Sequence, residues 1–285
     1  MVSFKVVAGL ACLGIASMAE AKAKANADSE SASPKKMDLK GYTCSHPNYK
    51  VHIFSQSPLV VYLEDFITPE ERSHMHALAY DCPAVLSIHK PLTSISEPDF
   101  KASTVVTTNG DSAVQSVRSS QSTSIRRDKV VACVEERALE FQGFNMPKTH
   151  VEAIQLVKYG ETERYHFHTD WFGDDGHATA SLGGNRVSSF FGYIKAENVT
   201  GGGTNFPALN SDVDERWCKF VDCDQPYDYG VTFQPIEGNA VFWSNLYQTG
   251  SGDRRTTHAG LPVIKGQKIG MNIWTRQGPV SPGWK

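Results

Sequence analysis

The chain has 285 residues, 40% apolar and 21% charged, with 28 Lys and Arg against 31 Asp and Glu for a formal charge of −3. Such a length holds one large domain or two small ones, and the composition is that of a soluble globular enzyme or binding protein. The near-balance of charge, with no long basic run, argues against a nucleic-acid partner.

The first segment, MVSFKVVAGLACLGIASMAEAKA, sets Lys5 ahead of a short apolar run from Val6 to Ala16. Small residues follow at Ala19-Glu20-Ala21 and Ala21-Lys22-Ala23. This is the build of a signal peptide, expected over residues 1–21, and it is too short to span a membrane comfortably. No other apolar run approaches spanning length, so no membrane association is expected after cleavage. Residues 22–57 are expected to be a flexible lead-in, because 22–40 are rich in Lys, Ser and Ala and poor in large apolar groups. The remaining span, 58–285, is expected to be a single catalytic or binding domain.

PLVVYLEDFI reads as a strand, and it runs into TPEERSHMHALAYD, which reads as a helix. There Thr68 is placed to cap the N-terminus, Pro69 to occupy the first turn and Glu71 to close a capping box. His74 and His76, two apart on this helix, read as ordinary surface or packing histidines. Residues 93–125 are dense in Ser and Thr around a TTNGD turn, which predicts a long loop or mobile hairpin. Asp128 is placed to cap a second helix, KVVACVEERALEFQ, with Val130, Val134 and Phe141 on one face and Gly143 at its end. From residue 151 the pattern changes to strands: VEAIQLVKY, RVSSFFGYIKA, NAVFWSN and KIGMNIWTR, separated by Gly, Asn and Asp clusters. Helices first and strands afterwards predict an α+β domain with the helices packed on a curved, largely antiparallel sheet.

Cys12 leaves with the signal, so Cys44, Cys82, Cys133, Cys218 and Cys223 remain, an odd number. CKFVDC brings Cys218 and Cys223 close enough in sequence for a short disulfide in an oxidising compartment, with no second Cys pair to complete a zinc site. The pairing of the other three is left open. NVT at Asn198 is the one N-glycosylation sequon.

The segment RYHFHTDWF, residues 164–172, sets His166, His168 and Asp170 at every second position. In an extended strand these point to one face, so a metal could take two of them, all three or none. A further His far downstream strengthens the signal, and His258 in THAGLPVIKGQKIGMNIWTR is such a residue. Two His and one carboxylate leave three coordination positions open, which suits non-haem Fe(II) oxygen chemistry. Lys268, ten residues after His258, could hold the carboxylate of an acidic co-substrate as a point charge. Taken alone it could equally be an edge-strand lysine. Trp217, Trp243 and Trp274 read as core aromatics.

The chain resembles the catalytic domain of the prolyl 4-hydroxylases, within the Fe(II)/2-oxoglutarate dioxygenases. The likeness covers roughly residues 58 to 276 and consists of consecutive blocks in order. These include LVVYLEDFITPEE, QLVKYGETERYHFHTDWF, NRVSSFFGYIKAENVTGGGTNFP, GNAVFW and GDRRTTHAGLPVIKGQKIGMNIW. The resemblance implies a double-stranded β-helix (jelly-roll) core. It implies that His168, Asp170 and His258 bind Fe(II), with His166 at a variable position of a Tyr-x-x-His-x-Asp pattern. Tyr165 and Lys268 would grip the distal carboxylate of 2-oxoglutarate, with Thr204 and Trp274 lining that pocket and Tyr159 and Arg186 near the substrate entrance. The implied reaction consumes 2-oxoglutarate and O2, with ascorbate as the expected protectant, and hydroxylates peptidyl proline in the secretory pathway. A small molecule oxidised by the same centre is the alternative substrate class. A jelly-roll binding module without metal is disfavoured by the intact ligands and Lys268. The closing SPGWK carries no ER-retention tetrapeptide, so export or retention by a partner is expected.

Overall fold

Alternation of apolar side chains along the strands divides the domain into two cores. The computed structural model describes residues 34–80, 100–103, 105–106, 112–113, 119–143, 146–174 and 176–281. The expected signal peptide, Cys82, the TTNGD turn and much of the 93–125 segment lie outside the described residues. Residues from Lys35 onward form one unit. Its strands are β1 (Lys50–Gln56), β2 (Leu59–Glu64), β3 (Lys101–Ala102), β4 (Val105–Val106), β5 (Ser112–Ala113), β6 (Gln121–Ser124) and β7 (Gln155–Tyr159). They continue as β8 (Tyr165–His168), β9 (Arg186–Gly201), β10 (Thr204–Phe206), β11 (Val231–Phe233), β12 (Ala240–Ser244), β13 (His258–Gly260) and β14 (Val263–Arg276). An eight-stranded sheet has the order β1-β2-β12-β9-β14-β7-β6-β3, a four-stranded sheet the order β11-β10-β13-β8, and β4 pairs with β5 alone. The ladders of both sheets are antiparallel. This is the jelly-roll expected, two sheets packed face to face.

The period-2 rule assigns each strand residue to a side. Val61, Leu63, Phe190, Ala240, Phe242, Ile269, Met271 and Ile273 point outward from the large sheet, into a core shared with the helices. Their neighbours Val60, Tyr62, Phe191, Tyr193, Val241 and Trp243 point inward, where they meet Phe206, Val231 and Phe233 of the small sheet. On β14 the same parity turns Lys268, Gly270, Asn272 and Trp274 to the inner side. Gly270 is required there, since a Cβ would lie 2.2 Å from the Phe191 ring.

Helix α1 (Pro69–Leu78) starts at Thr68 with the full capping box, and α2 (Lys129–Phe141) starts at Asp128, which accepts from Val130 and Val131 N–H. The two are locked by Glu71 and Arg137, a buried ion pair in which Arg137 also donates to the Phe66 carbonyl. The lead-in expected to reach residue 57 is ordered in its second half. Residues 50–56 form β1, whose His52 and Phe54 pack against Trp217 and Phe220. Residues before β1 are tied to the helices by a Cys44–Cys133 disulfide and by Met37 N–H donating to His74 Nδ1. His74 is therefore a buried residue, its Nε2 on Asp128 at 2.7 Å. The Cys218–Cys223 disulfide is present as expected.

Candidate active site

Strands β8 and β13 are neighbours at one end of the small sheet, and their register sets His168 opposite His258. Asp170 follows β8 directly and turns inward, 6% exposed. His168 Nε2 lies 3.8 Å from Asp170 Oδ1 and His258 Nε2 3.9 Å from Asp170 Oδ2. One donor atom from each of the three falls within 4.8 Å of the other two. His166, the third member of the alternating row, is exposed instead, and its Nε2 accepts from Arg164 Nε at 3.2 Å. The row of three is thus broken by the fold into a pair plus the distant His258.

Backbone carbonyls choose the tautomers. His168 Nδ1–H donates to the His166 carbonyl at 2.7 Å, and His258 Nδ1–H donates to the Thr256 carbonyl at 3.0 Å. A neutral imidazole with its proton on Nδ1 carries its lone pair on Nε2, the nitrogen that faces Asp170 in both residues. Burial by itself would raise the Asp170 carboxyl, but His258, His168, Arg186 and a hydrogen bond from Ser189 outweigh it and hold it at about 2. Two imidazoles that each offer Nε2, with one ionised carboxylate, make up the donor set of a facial Fe(II) site, so the residues fit that ion. Trp243 and Phe206 wall His258, with ring centroids at 4.6 and 5.5 Å.

Lys268 is fully buried on the inner face of β14, between the rings of Tyr159 at 4.7 Å and Phe191 at 5.5 Å. Its Nζ donates to the Gly202 carbonyl. Desolvation pulls its pKa down to about 7. A lysine held dry without a carboxylate partner among the described residues is a site prepared for an anion. The strand that follows Gly202 leads straight back to the metal ligands, since Thr204 pairs with Gly260 and Asn205 with Ala259, beside His258. Thr204 is buried there, its Oγ1 bonded to Tyr193 OH at 2.9 Å.

The geometry places two tyrosines differently from the positions that the resemblance implies. Tyr159, expected near the substrate entrance, is 2% exposed and sits opposite Lys268 in the β7–β14 ladder. Tyr165, expected beside Lys268, is half-buried and stacks on the His168 ring at 3.6 Å. The tyrosines belong to different sheets, and the turn at 160–164 separates them. Arg186, also expected at the entrance, is anchored by two hydrogen bonds of 2.8 Å to Glu152 and lies 3.7 Å over the Trp274 ring. Its Nη1 reaches the Asp170 carbonyl at 3.4 Å. Trp274 accordingly stacks on Arg186.

Glu152 was not legible as a site residue. It is buried, it also binds Arg276 Nε at 2.6 Å, and Arg186 and Arg276 hold its carboxyl below the usual range against the cost of burial. The available signal was an acidic residue entering the apolar run VEAIQLV.

Residues 154–276 match the family model of the 2OG-Fe(II) oxygenase superfamily. The chain is 29% identical over 235 residues to Prolyl 4-hydroxylase 1 of Arabidopsis thaliana, covering 81% of this chain and 73% of the relative. It is 30% identical over 220 residues to Prolyl 4-hydroxylase subunit alpha-2 of Gallus gallus, covering 76% of this chain and 34% of that one. Among solved structures, a viral collagen prolyl hydroxylase from Paramecium Bursaria Chlorella virus-1 aligns at TM-score 0.42 and 24% identity, over 56% of this chain and 80% of that one.

Proposed function

Residues 154–276 belong to the 2OG-Fe(II) oxygenase superfamily, and from that premise we propose that this Fe(II)- and 2-oxoglutarate-dependent dioxygenase hydroxylates prolyl residues of a peptide or protein in the secretory pathway. The observation that carries the reading is the pairing, inside one jelly-roll, of a two-His-one-carboxylate cluster with a buried lysine that lacks a carboxylate partner among the described residues. The relatives' names supply the prolyl substrate class.

In this reading His168, Asp170 and His258 hold Fe(II), and domain 58–285 is the catalytic unit. When bound, the ion with 2-oxoglutarate and O2 supplies oxidative decarboxylation to succinate and CO2 coupled to hydroxylation of a C–H bond. Lys268 Nζ binds the distal carboxylate as a charge-assisted pair, with Tyr159 and Thr204 as the neighbouring polar groups. Holding both ends of the co-substrate fixes the keto end toward the ligand cluster, an entropic contribution the protein makes before any bond changes. Phe206 and Trp243 keep water from the His258 side. Arg186 beside Asp170, Trp274 beneath it and Tyr165 on the His168 ring face the organic substrate in this reading, with Glu152 fixing the guanidinium plane. Ascorbate would keep the iron reduced between turnovers.

Among the described residues no helix is long and apolar enough to cross a membrane. Two disulfides and the N-terminal segment support a secretory location, where Asn198 would meet the glycosylation machinery. The test is succinate release with Fe(II), 2-oxoglutarate and ascorbate, screened against proline-rich peptides and against small molecules. Turnover with a peptide, and a hydroxyproline found in it by mass spectrometry, is the expected result. Turnover restricted to small molecules overturns the substrate assignment.

A further inference from the structure

Behind the ligand cluster runs a chain of buried polar side chains that are not themselves among the candidate metal donors. Ser189 lies on β9 with the inward parity of Phe191 and Tyr193, and it is fully buried. Its hydroxyl donates to Asp170 Oδ2 at 2.7 Å and accepts from Asn245 Nδ2 at 2.8 Å. Asn245, also fully buried, stands at the end of β12. Its own backbone is pinned, since its N–H donates to the Val187 carbonyl at 2.9 Å and its carbonyl accepts from Asp253 N–H at 2.9 Å. From Asp253 the chain continues. Thr256 Oγ1 donates to the Asp253 carbonyl at 2.7 Å, and the Thr256 carbonyl receives His258 Nδ1–H at 3.0 Å. The Asp253 carbonyl also receives Trp171 Nε1–H at 3.2 Å, next to Asp170. Asn245 is therefore the junction of one path to Asp170 and another to His258.

We infer that Ser189 and Asn245 are positioning residues that set the orientation of Asp170 relative to His258. The inference rests on the reading that these side chains hold the metal. A carboxylate has two oxygens, and a metal can take one or both. The Ser189 hydroxyl occupies a lone pair of Oδ2 and fixes the carboxylate plane, which favours ligation through one oxygen. With the two imidazoles, one carboxylate oxygen would complete a three-donor protein set that leaves room for the co-substrates. A carboxylate released from Ser189 can rotate away from the orientation that faces the two Nε2 atoms. Asn245 donates to Ser189 Oγ, so the serine proton is directed toward Asp170 and not elsewhere. The effect of Asn245 must then pass through Ser189. A buried Ser and Asn that served packing alone would be replaceable by apolar groups of equal volume at no cost to metal affinity.

The experiment is calorimetric titration of the metal-stripped full chain with Mn(II), with thermal melting as the check on folding. Ser189→Ala is expected to weaken Mn(II) binding by roughly ten- to a hundredfold, the range for groups that orient ligands. Asn245→Ala should weaken it less, and the double variant should match Ser189→Ala, because the second change removes a donor from an absent hydroxyl. Ser189→Thr and Ser189→Val share one shape, so better Mn(II) binding by the Thr variant isolates the hydroxyl even where both melt lower. His168→Ala serves as the control for the metal site. If His168→Ala abolishes Mn(II) binding while Ser189→Ala binds like the parent and Thr and Val variants are equal, the positioning inference is overturned. Additive losses in the double variant overturn the role of Asn245. If His168→Ala also binds like the parent, the metal assignment itself falls.

Discussion

Replacing Lys268 by Met leaves an unbranched side chain one atom shorter and removes its charge. In the structure the ammonium is fully buried, with one backbone carbonyl as its hydrogen-bond acceptor and two aromatic rings as neighbours. Its pKa of about 7 against an ordinary 10.5 means that desolvation costs the charged form about 5 kcal/mol. A carboxylate ligand that pairs with the ammonium recovers part of that cost. Truncating one partner of a buried charge pair costs about 2–5 kcal/mol, so Lys268→Met should raise the dissociation constant of 2-oxoglutarate between about thirtyfold and a few thousandfold. Mn(II) affinity should be unchanged, and Lys268→Arg should recover affinity only in part, since the planar fork is larger than the ammonium. The sign with pH follows from the direction of the shift. Without ligand the lysine loses its proton through about pH 7. The carboxylate raises that pKa, so binding takes up a proton above neutrality. Affinity is full below pH 7 and falls toward about tenfold for each pH step above it. Calorimetry in buffers of different ionisation enthalpy measures both quantities, with proton uptake near zero at pH 6 and approaching one at higher pH. Equal 2-oxoglutarate affinity in Lys268→Met and the parent would refute the reasoning and send the acidic co-substrate to another site.

Other consequences follow from the same geometry. His166→Ala should retain Mn(II) affinity because His166 faces Arg164, whereas His168→Ala should lose it; titration of the two variants checks the register of β8. Tyr159→Phe should raise the 2-oxoglutarate KM with little effect on the peptide KM, and Tyr165→Phe should do the reverse, as steady-state kinetics with each substrate varied will show. The Cys44–Cys133 bond spans 89 residues and Cys218–Cys223 spans 5. Loop-closure entropy then predicts that Cys44→Ser costs about 4–5 kcal/mol and Cys218→Ser about 2 kcal/mol, read from denaturant unfolding. Non-reducing peptide mapping should recover both pairs.

The parts of this fold that depend on near neighbours in the chain were legible without coordinates. Thr68 with Glu71, and Asp128 before an apolar run, are cap signals complete within four residues, and both helices begin there. Alternation marked the cores of β2, β9, β12 and β14, although β9 and β14 run longer than their apolar runs. Their outer halves are stabilised by pairing with each other and not by burial. The His168-x-Asp170 spacing was likewise local, and His258 and Lys268 were found through the order of motifs along the chain.

What stayed hidden depends on which residues stand across a ladder or beneath a helix. Period-2 alternation says that Lys268 alternates faces with its neighbours, but only the packing of the small sheet over β14 makes that face an interior. Tyr159 and Tyr165 lie in one continuous motif, yet the turn between them hands them to different sheets, so the residue next to Lys268 is the one the motif suggested for the entrance. Cys44 finds Cys133, and Met37 finds His74, because residues before β1 lie across α1 and α2, a contact between segments far apart in sequence. Ser189, Asn245 and Glu152 each read as polar interruptions of apolar strands or their ends. The sequence by itself determined the local elements, the candidate donors and the order of the motifs, since these follow from short-range sterics, side-chain chemistry and position along the chain. The tertiary structure decided which donors converge, which lysine is dry and which carboxylate is fixed, because burial and register are properties of pairs of segments and not of any one of them.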